Sequence, residues 1–344
     1  MSTLSRALVL LLVAAGLSPA AQIAASGAPP DPASAGTYTN PVYRHDFPDP
    51  HVIRVGDTYY AYATNSGTSN VPVIRSTDLV AWERAGDAMP ALPAWARLNF
   101  GDTWAPGVIE HGDGFLLYFV SRDEESGRQC IGVATATRPE GPFRDDADAP
   151  LVCQRELGGS IDPYPHRDDD GRLYLYWKND GNCCAQPVHL WVQPLTEDGL
   201  GLAGEAVELI GRDQPWEIPL VENPAIVDAG GDLYLLYSAN RWDSHEYAVG
   251  YAACESLTGP CRKPETEPIL GFTPEVMGPG GQMVIAGPDG GRWIVYHAWT
   301  GPDVGYPAGT RSMRIDRIEF VDGRPVVAGP TSDPQPAPAE EPAR

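Results

Sequence analysis

Apolar positions in this chain come in short alternating runs, and a run with helical period is hard to find. One pattern recurs. A glycine or aspartate turn leads into an aromatic and aliphatic stretch that ends on a tyrosine, as in Gly56-Asp57-Thr58-Tyr59-Tyr60-Ala61-Tyr62. The same pattern returns at 112–118, 170–176, 231–237 and 290–296, so the closing tyrosines 62, 118, 176, 237 and 296 lie 56, 58, 61 and 59 residues apart. A fivefold repeat with this period predicts an array of similar sheets.

Filling in each unit from its turn residues gives four strands per repeat. The first unit reads as 51–55, 59–64, 71–76 and a segment around Trp82, and the second as 107–110, 115–121, 131–137 and a segment around Phe143. The third is 164–166, 173–178, 188–194 and 206–210; the fourth is 225–228, 233–239, 249–254 and a short strand after Cys261. The last is 283–286, 293–299, 313–320 and 325–328. This predicts an all-β, five-bladed β-propeller of four-stranded blades over 37–329. An open ring would expose strand edges, so its ends need stitching, either by residues near the amino terminus or by the hairpin 313–327.

The flanks read differently. Residues 1–21 carry Arg6, an apolar run from Ala7 to Ala15 and small residues suited to cleavage, the pattern of a secretory signal peptide. The run is shorter than the roughly 20 residues a bilayer span needs. Residues 22–36 read as a flexible lead-in, and 330–344 as a disordered proline-rich tail.

Composition narrows the partners. The chain of 344 residues is 42% hydrophobic and 20% charged, enough for a sizeable core. Its formal net charge of −22 disfavours nucleic acid and anionic membranes. Lys178 and Lys263 are the only lysines, which reads as a compositional bias rather than a functional sign. Six cysteines in an exported chain suggest disulfides, and six allow 15 connectivities. Cys254 and Cys261 bracket one turn and are the first candidate pair. Cys130 and Cys153 flank another hairpin, while adjacent Cys183 and Cys184 bridge each other or find partners elsewhere. No C-x-x-C and no neighbouring histidine supports a metal role.

Candidate chemistry comes from the repeat phase. Counting back 13 to 15 residues from each tyrosine gives Asp49, Trp104, Asp162, Glu222 and Gly281. Three of the five places hold a carboxylate, with a proline within two residues. Acids gathered round an axis cost several kcal/mol in desolvation unless paired or used. An ion cage, or turn caps binding backbone amides, are the structural alternatives.

Together Phe47-Pro48-Asp49-Pro50, Trp104-Ala105-Pro106, Ser160-Ile161-Asp162-Pro163, Val221-Glu222-Asn223-Pro224 and Tyr296-His297-Ala298 resemble glycoside hydrolase family 43, over about 40–327. The resemblance implies a five-bladed propeller with three axial acids. Asp49 would be the general base, Glu222 the general acid, and Asp162 a neighbour that raises and orients the acid. Base and acid would come from non-adjacent blades, leaving room for water and predicting inversion.

Other residues carry two readings each. Trp104 stacks on a sugar or fills the core. Arg311 resembles a family arginine that reaches sugar hydroxyls, or makes a surface ion pair. Phe47 comes with the first motif as a substrate contact, and His297 is a substrate contact or satisfied packing. Glu217 is the rival acid outside the repeat phase. Many relatives hold a histidine at the fifth axial place, where it helps bind a central ion or water. Here Gly281 stands there with no side chain to donate, so a calcium requirement is not carried over; His297 as its substitute leaves a structural calcium open, and no other cofactor is expected.

The implied function is a secreted hydrolase of arabinose- or xylose-containing polysaccharide, first at α-L-arabinofuranosyl bonds. A β-xylosidase is the close alternative, and a non-catalytic sugar-binding propeller is the alternative from another class. Fructan hydrolases, another five-bladed family, are disfavoured by the lack of an Asn-Asp-Pro-Asn-Gly run.

Overall fold

A computed structural model describes residues 36–97, 102–300 and 303–338. It is a five-bladed β-propeller. The first blade pairs His51–Val55, Thr58–Tyr62, Pro72–Ser76 and Glu83–Asp87 in order. The third pairs Ser160–Arg167, Leu173–Asn179, His189–Pro194 and Val207–Gly211. The fourth pairs Val221–Asp228, Leu233–Ala239, Ala248–Cys254 and Cys261–Arg262. The second blade departs from the expected four strands: it has Trp104–His111, Gly114–Arg122 and Gln129–Ala136. Around buried Phe143 the expected fourth strand shrinks to one bridge, Thr135 to Arg144.

The fifth blade is where the ring closes. Val276–Ala286, Arg292–Thr300 and Arg311–Val321 are joined on the outside by Tyr43–Asp46 from the start of the fold. The hairpin strand Arg324–Val327 pairs with the far end of Arg311–Val321, so both candidate segments contribute.

The expected disorder from residue 330 is corrected here. Gln335–Pro336 pairs with Thr37–Tyr38, and Thr331 donates through its backbone and its hydroxyl to the buried Asp316 carboxylate. That acid also accepts from Tyr296. A buried carboxylate needs such donors, and it holds the tail down. The stretch 1–21 read as a signal peptide, and most of 22–36 read as a lead-in, lie outside the described residues.

The repeat tyrosines explain why the blades adhere. All five are at most 1% exposed, and each spends its hydroxyl on a protein acceptor. Tyr62, Tyr118 and Tyr176 donate to Pro139 O, Gly199 O and Leu257 O, each at 2.7 Å in the next blade's outer turn. Tyr237 and Tyr296 use carboxylates instead, Glu217 and Asp316, at 2.6 Å. Disulfides join Cys130 to Cys153, Cys183 to Cys184 and Cys254 to Cys261.

Candidate active site

Each blade places one residue of unusual backbone at the axis, at a register break of the innermost strand in blades two to five and just before that strand in the first. Asp49, Ala105, Asp162, Asn223 and Gly281 have φ of 54°, 39°, 58°, 52° and 61°, a left-handed conformation that side-chain-bearing residues rarely adopt. Together they line a small axial space of about 30 Å³. These five are the equivalent positions, which corrects the phase read from the sequence. Trp104 and Glu222 each stand one residue before it, because the spacing from axial residue to tyrosine differs among blades.

The offset does not separate the acids. Asp49, Asp162 and Glu222 all line one cavity of about 550 Å³, together with Trp104, Lys178 and Arg311. Phe47 and His297 are not among its lining residues. Phe47 is 1% exposed and packs edge-on against Tyr43, so it belongs to the core rather than to a substrate surface. His297 sits beneath Asp49, where its Nδ1 accepts the Asp49 N–H at 3.0 Å. It acts on the acid's backbone, not on a ligand in the cavity.

Asp49 is held by Thr64 Oγ1 at 2.6 Å, by Asn223 Nδ2 at 3.4 Å, and by Arg311 Nη1 at 3.8 Å. Burial acts to raise its carboxyl, but Arg311 and these donors outweigh it and hold the group below the usual carboxylate range. Burial pushes His297 down to about 3, so it is neutral at ordinary pH and leaves Arg311 as the acting charge. Arg311 itself lies over the Trp242 ring at 4.6 Å and donates to the Tyr306 hydroxyl at 3.2 Å.

Glu222 carries two donors: Lys178 Nζ at 2.9 Å and the Tyr247 hydroxyl at 2.8 Å. Beside it, Asp162 accepts the Asn223 N–H at 3.0 Å. Burial and then the Glu222 charge push Asp162 well above the usual range, with Lys178 opposing. Asn223 Nδ2 reaches both Asp49 Oδ1 and the Tyr247 hydroxyl, at 3.4 and 3.3 Å, and so links the two ends of the site.

Glu217 is absent from the cavity lining. Fully buried, it accepts from the amides of Asp213 and Gln214, from Tyr237, and from Lys263. Lys178, Tyr247, Asn223 and Thr64 were not singled out from the sequence. Lys178 and Lys263, the two lysines of the chain, both pair with buried glutamates.

The axis does not fit an ion carried by a fifth-blade side chain. A Cβ on Gly281 would lie 2.5 Å from His297 Nδ1, so the imidazole fills that volume. Because Nδ1 accepts the Asp49 amide, the proton sits on Nε2, which is buried without a partner and has no lone pair to offer. Among the described residues, the one close group of potential ligands is Asp123, Cys130 and Cys153, and both sulfurs are in a disulfide.

Comparison with known proteins agrees with this architecture. The profile of glycosyl hydrolases family 43 matches residues 38–325. A β-D-galactofuranosidase of Aspergillus niger is 28% identical over 275 residues, 75% of each chain. A xylosidase/arabinosidase of Butyrivibrio fibrisolvens is 26% identical, aligned over 84% of this chain but 56% of its own length. The crystal structure of a thermostable family-43 glycoside hydrolase superposes with a TM-score of 0.80 at 34% identity, covering 88% of this chain and all of that one. With its three acids brought together at the axis of five blades, the chain belongs to glycosyl hydrolases family 43.

Proposed function

We propose that this family 43 O-glycosyl hydrolase removes or cleaves pentose units of plant polysaccharide by single displacement with inversion. The observation that carries the reading is the meeting of Asp49, Asp162 and Glu222, from three different blades, on one cavity. Asp49, kept ionised by Arg311, takes a proton from a water molecule as the water oxygen bonds to the anomeric carbon. Glu222 gives its proton to the departing glycosidic oxygen as that C–O bond breaks. Inversion needs base and acid separated by a water, about 6.5–9.5 Å apart. Asn223 and Tyr247 intervening between them support that spacing. Asp162 is the positioning residue, since it holds the Asn223 amide next to the acid.

The preferred bond is α-L-arabinofuranosyl. The galactofuranosidase relative supports a furanose, because β-D-galactofuranose and α-L-arabinofuranose share a ring configuration. The xylosidase/arabinosidase relative keeps β-xylosyl as the second reading. Three disulfides support action in an oxidising, extracellular setting.

The test is a panel of aryl α-L-arabinofuranosides, aryl β-D-xylosides, arabinan and xylan, with the first-formed anomer followed by NMR. Inverted arabinose is expected. Retained configuration would overturn the mechanism, and cleavage of xylosides alone would overturn the substrate.

A further inference from the structure

Glu222 borders two spaces. Besides the cavity it shares with the two aspartates, it opens on a second of about 480 Å³ that neither Asp49 nor Asp162 lines. One wall is the loop after the third blade's second strand, including Asn182 and Gln186, and the other is Arg241, Trp242 and Asp243. Val188 and Leu220 close it with apolar surface.

The loop is fixed before anything binds. Asn179, at its base, donates to Leu157 O and Pro187 O at 3.1 and 2.9 Å and accepts from His189 N and Trp191 Nε1 at 2.8 and 3.1 Å. The turn Gly181–Cys184 ends in the Cys183–Cys184 disulfide. A Cβ on Gly181 would meet Pro187 O at 2.4 Å, so the fold of this loop depends on glycine there. Opposite, Arg241 is tied to Asp243 by two hydrogen bonds of 2.9 and 2.7 Å, which neutralises both charges. Trp242 is 38% exposed and faces both spaces.

We propose that this second space is the leaving-group subsite, that it takes a neutral sugar residue, and that Gln186 and Arg241 set its preference. The inference rests on Glu222 being the acid. A general acid protonates the oxygen that joins two sugars, so the glycosyl unit and the leaving group lie on either side of it. The base belongs with the anomeric carbon, and Asp49 lines the first space only. That orders the two spaces. An amide, a charge-neutral ion pair and an aromatic face suit hydroxyls and the apolar face of a sugar ring.

The test compares two substrates with the same glycosyl unit. One is an arabino- or xylo-oligosaccharide. The other is the corresponding glycosyl azide, whose leaving group is too small to fill the second space and needs no acid. Gln186→Trp, which plugs the space, is expected to lower kcat/KM on the oligosaccharide at least about ten-fold relative to the azide, mainly through KM. Arg241→Ala, at an exposed position, should lower the same ratio about three-fold or more. An unchanged ratio in both variants overturns the subsite. A parent protein that turns over neither substrate overturns instead the glycosidase reading beneath it.

Discussion

Lys178 Nζ lies 2.9 Å from Glu222 Oε2, and both side chains are withdrawn from solvent, at 1% and 9% exposure. In the state in which Glu222 has given up its proton, two charges stand out of water, which is costly and is repaid only if both stay paired. Lys178→Met alone is therefore expected to destabilise the fold by about 3 kcal/mol. The double variant Lys178→Met with Glu222→Gln should recover most of that loss while staying inactive on unactivated glycosides. Denaturant unfolding of the four proteins in the cycle measures it. Additive losses would mean that the pair is not coupled.

Arg311 governs the ionisation of Asp49. Without its guanidinium, the largest influence opposing burial is lost and the Asp49 carboxyl rises. As a base, Asp49 must be deprotonated, so activity is lost as pH falls through its pKa. Arg311→Met should move the acid limb of kcat/KM upward by about one pH unit. An acid limb that stays in place, with only a uniform drop in rate, would assign Arg311 to substrate binding alone.

The repeat was legible because its tyrosines are all buried with a fixed hydrogen bond, three of them into the next blade, and that leaves them little freedom to drift in the sequence. The offset of Glu222 was not legible. Each blade carries one left-handed residue at the axis, and the number of residues between it and the tyrosine varies, so counting cannot distinguish Glu222 from Asn223. Lys178 was hidden for another reason: a single cation in the apolar run 173–178 reads as an exposed strand end until its glutamate partner, 44 residues on, is seen beside it. Phe47 was misread because a motif residue next to an active-site acid can serve the core just as well.

Gly281 is tied to the base by space. Its φ of 61° already disfavours a side chain, and a Cβ would come within 2.5 Å of His297 Nδ1 and 2.8 Å of Asp49 Oδ1. Gly281→Ala must displace the imidazole or the carboxylate. We expect a stability loss of about 1–3 kcal/mol and a fall in kcat of about 100-fold, since misplacing a reacting group by an ångström costs that much. Kinetics on a glycosyl azide check this, because such a substrate needs the base but not the acid. Full azide turnover in Gly281→Ala would show that Asp49 had not moved.

Asp180, on the cavity wall beside Lys178, gives the clearest signature in stability against pH. Burial pushes its carboxyl up to about 6, with Lys178 opposing and Glu222 adding to the rise. An unfolded aspartate titrates near 3.9. Between about pH 4 and 6 the folded protein therefore holds a proton that the unfolded chain has released. This group's contribution to stability falls as pH rises through that window. Asp180→Asn keeps the shape without the charge. It should match the parent at pH 4 and exceed it at pH 7 by on the order of 2 kcal/mol. Urea unfolding at the two pH values tests the difference, and equal gains or losses at both would mean that Asp180 is ionised in the folded state at no cost.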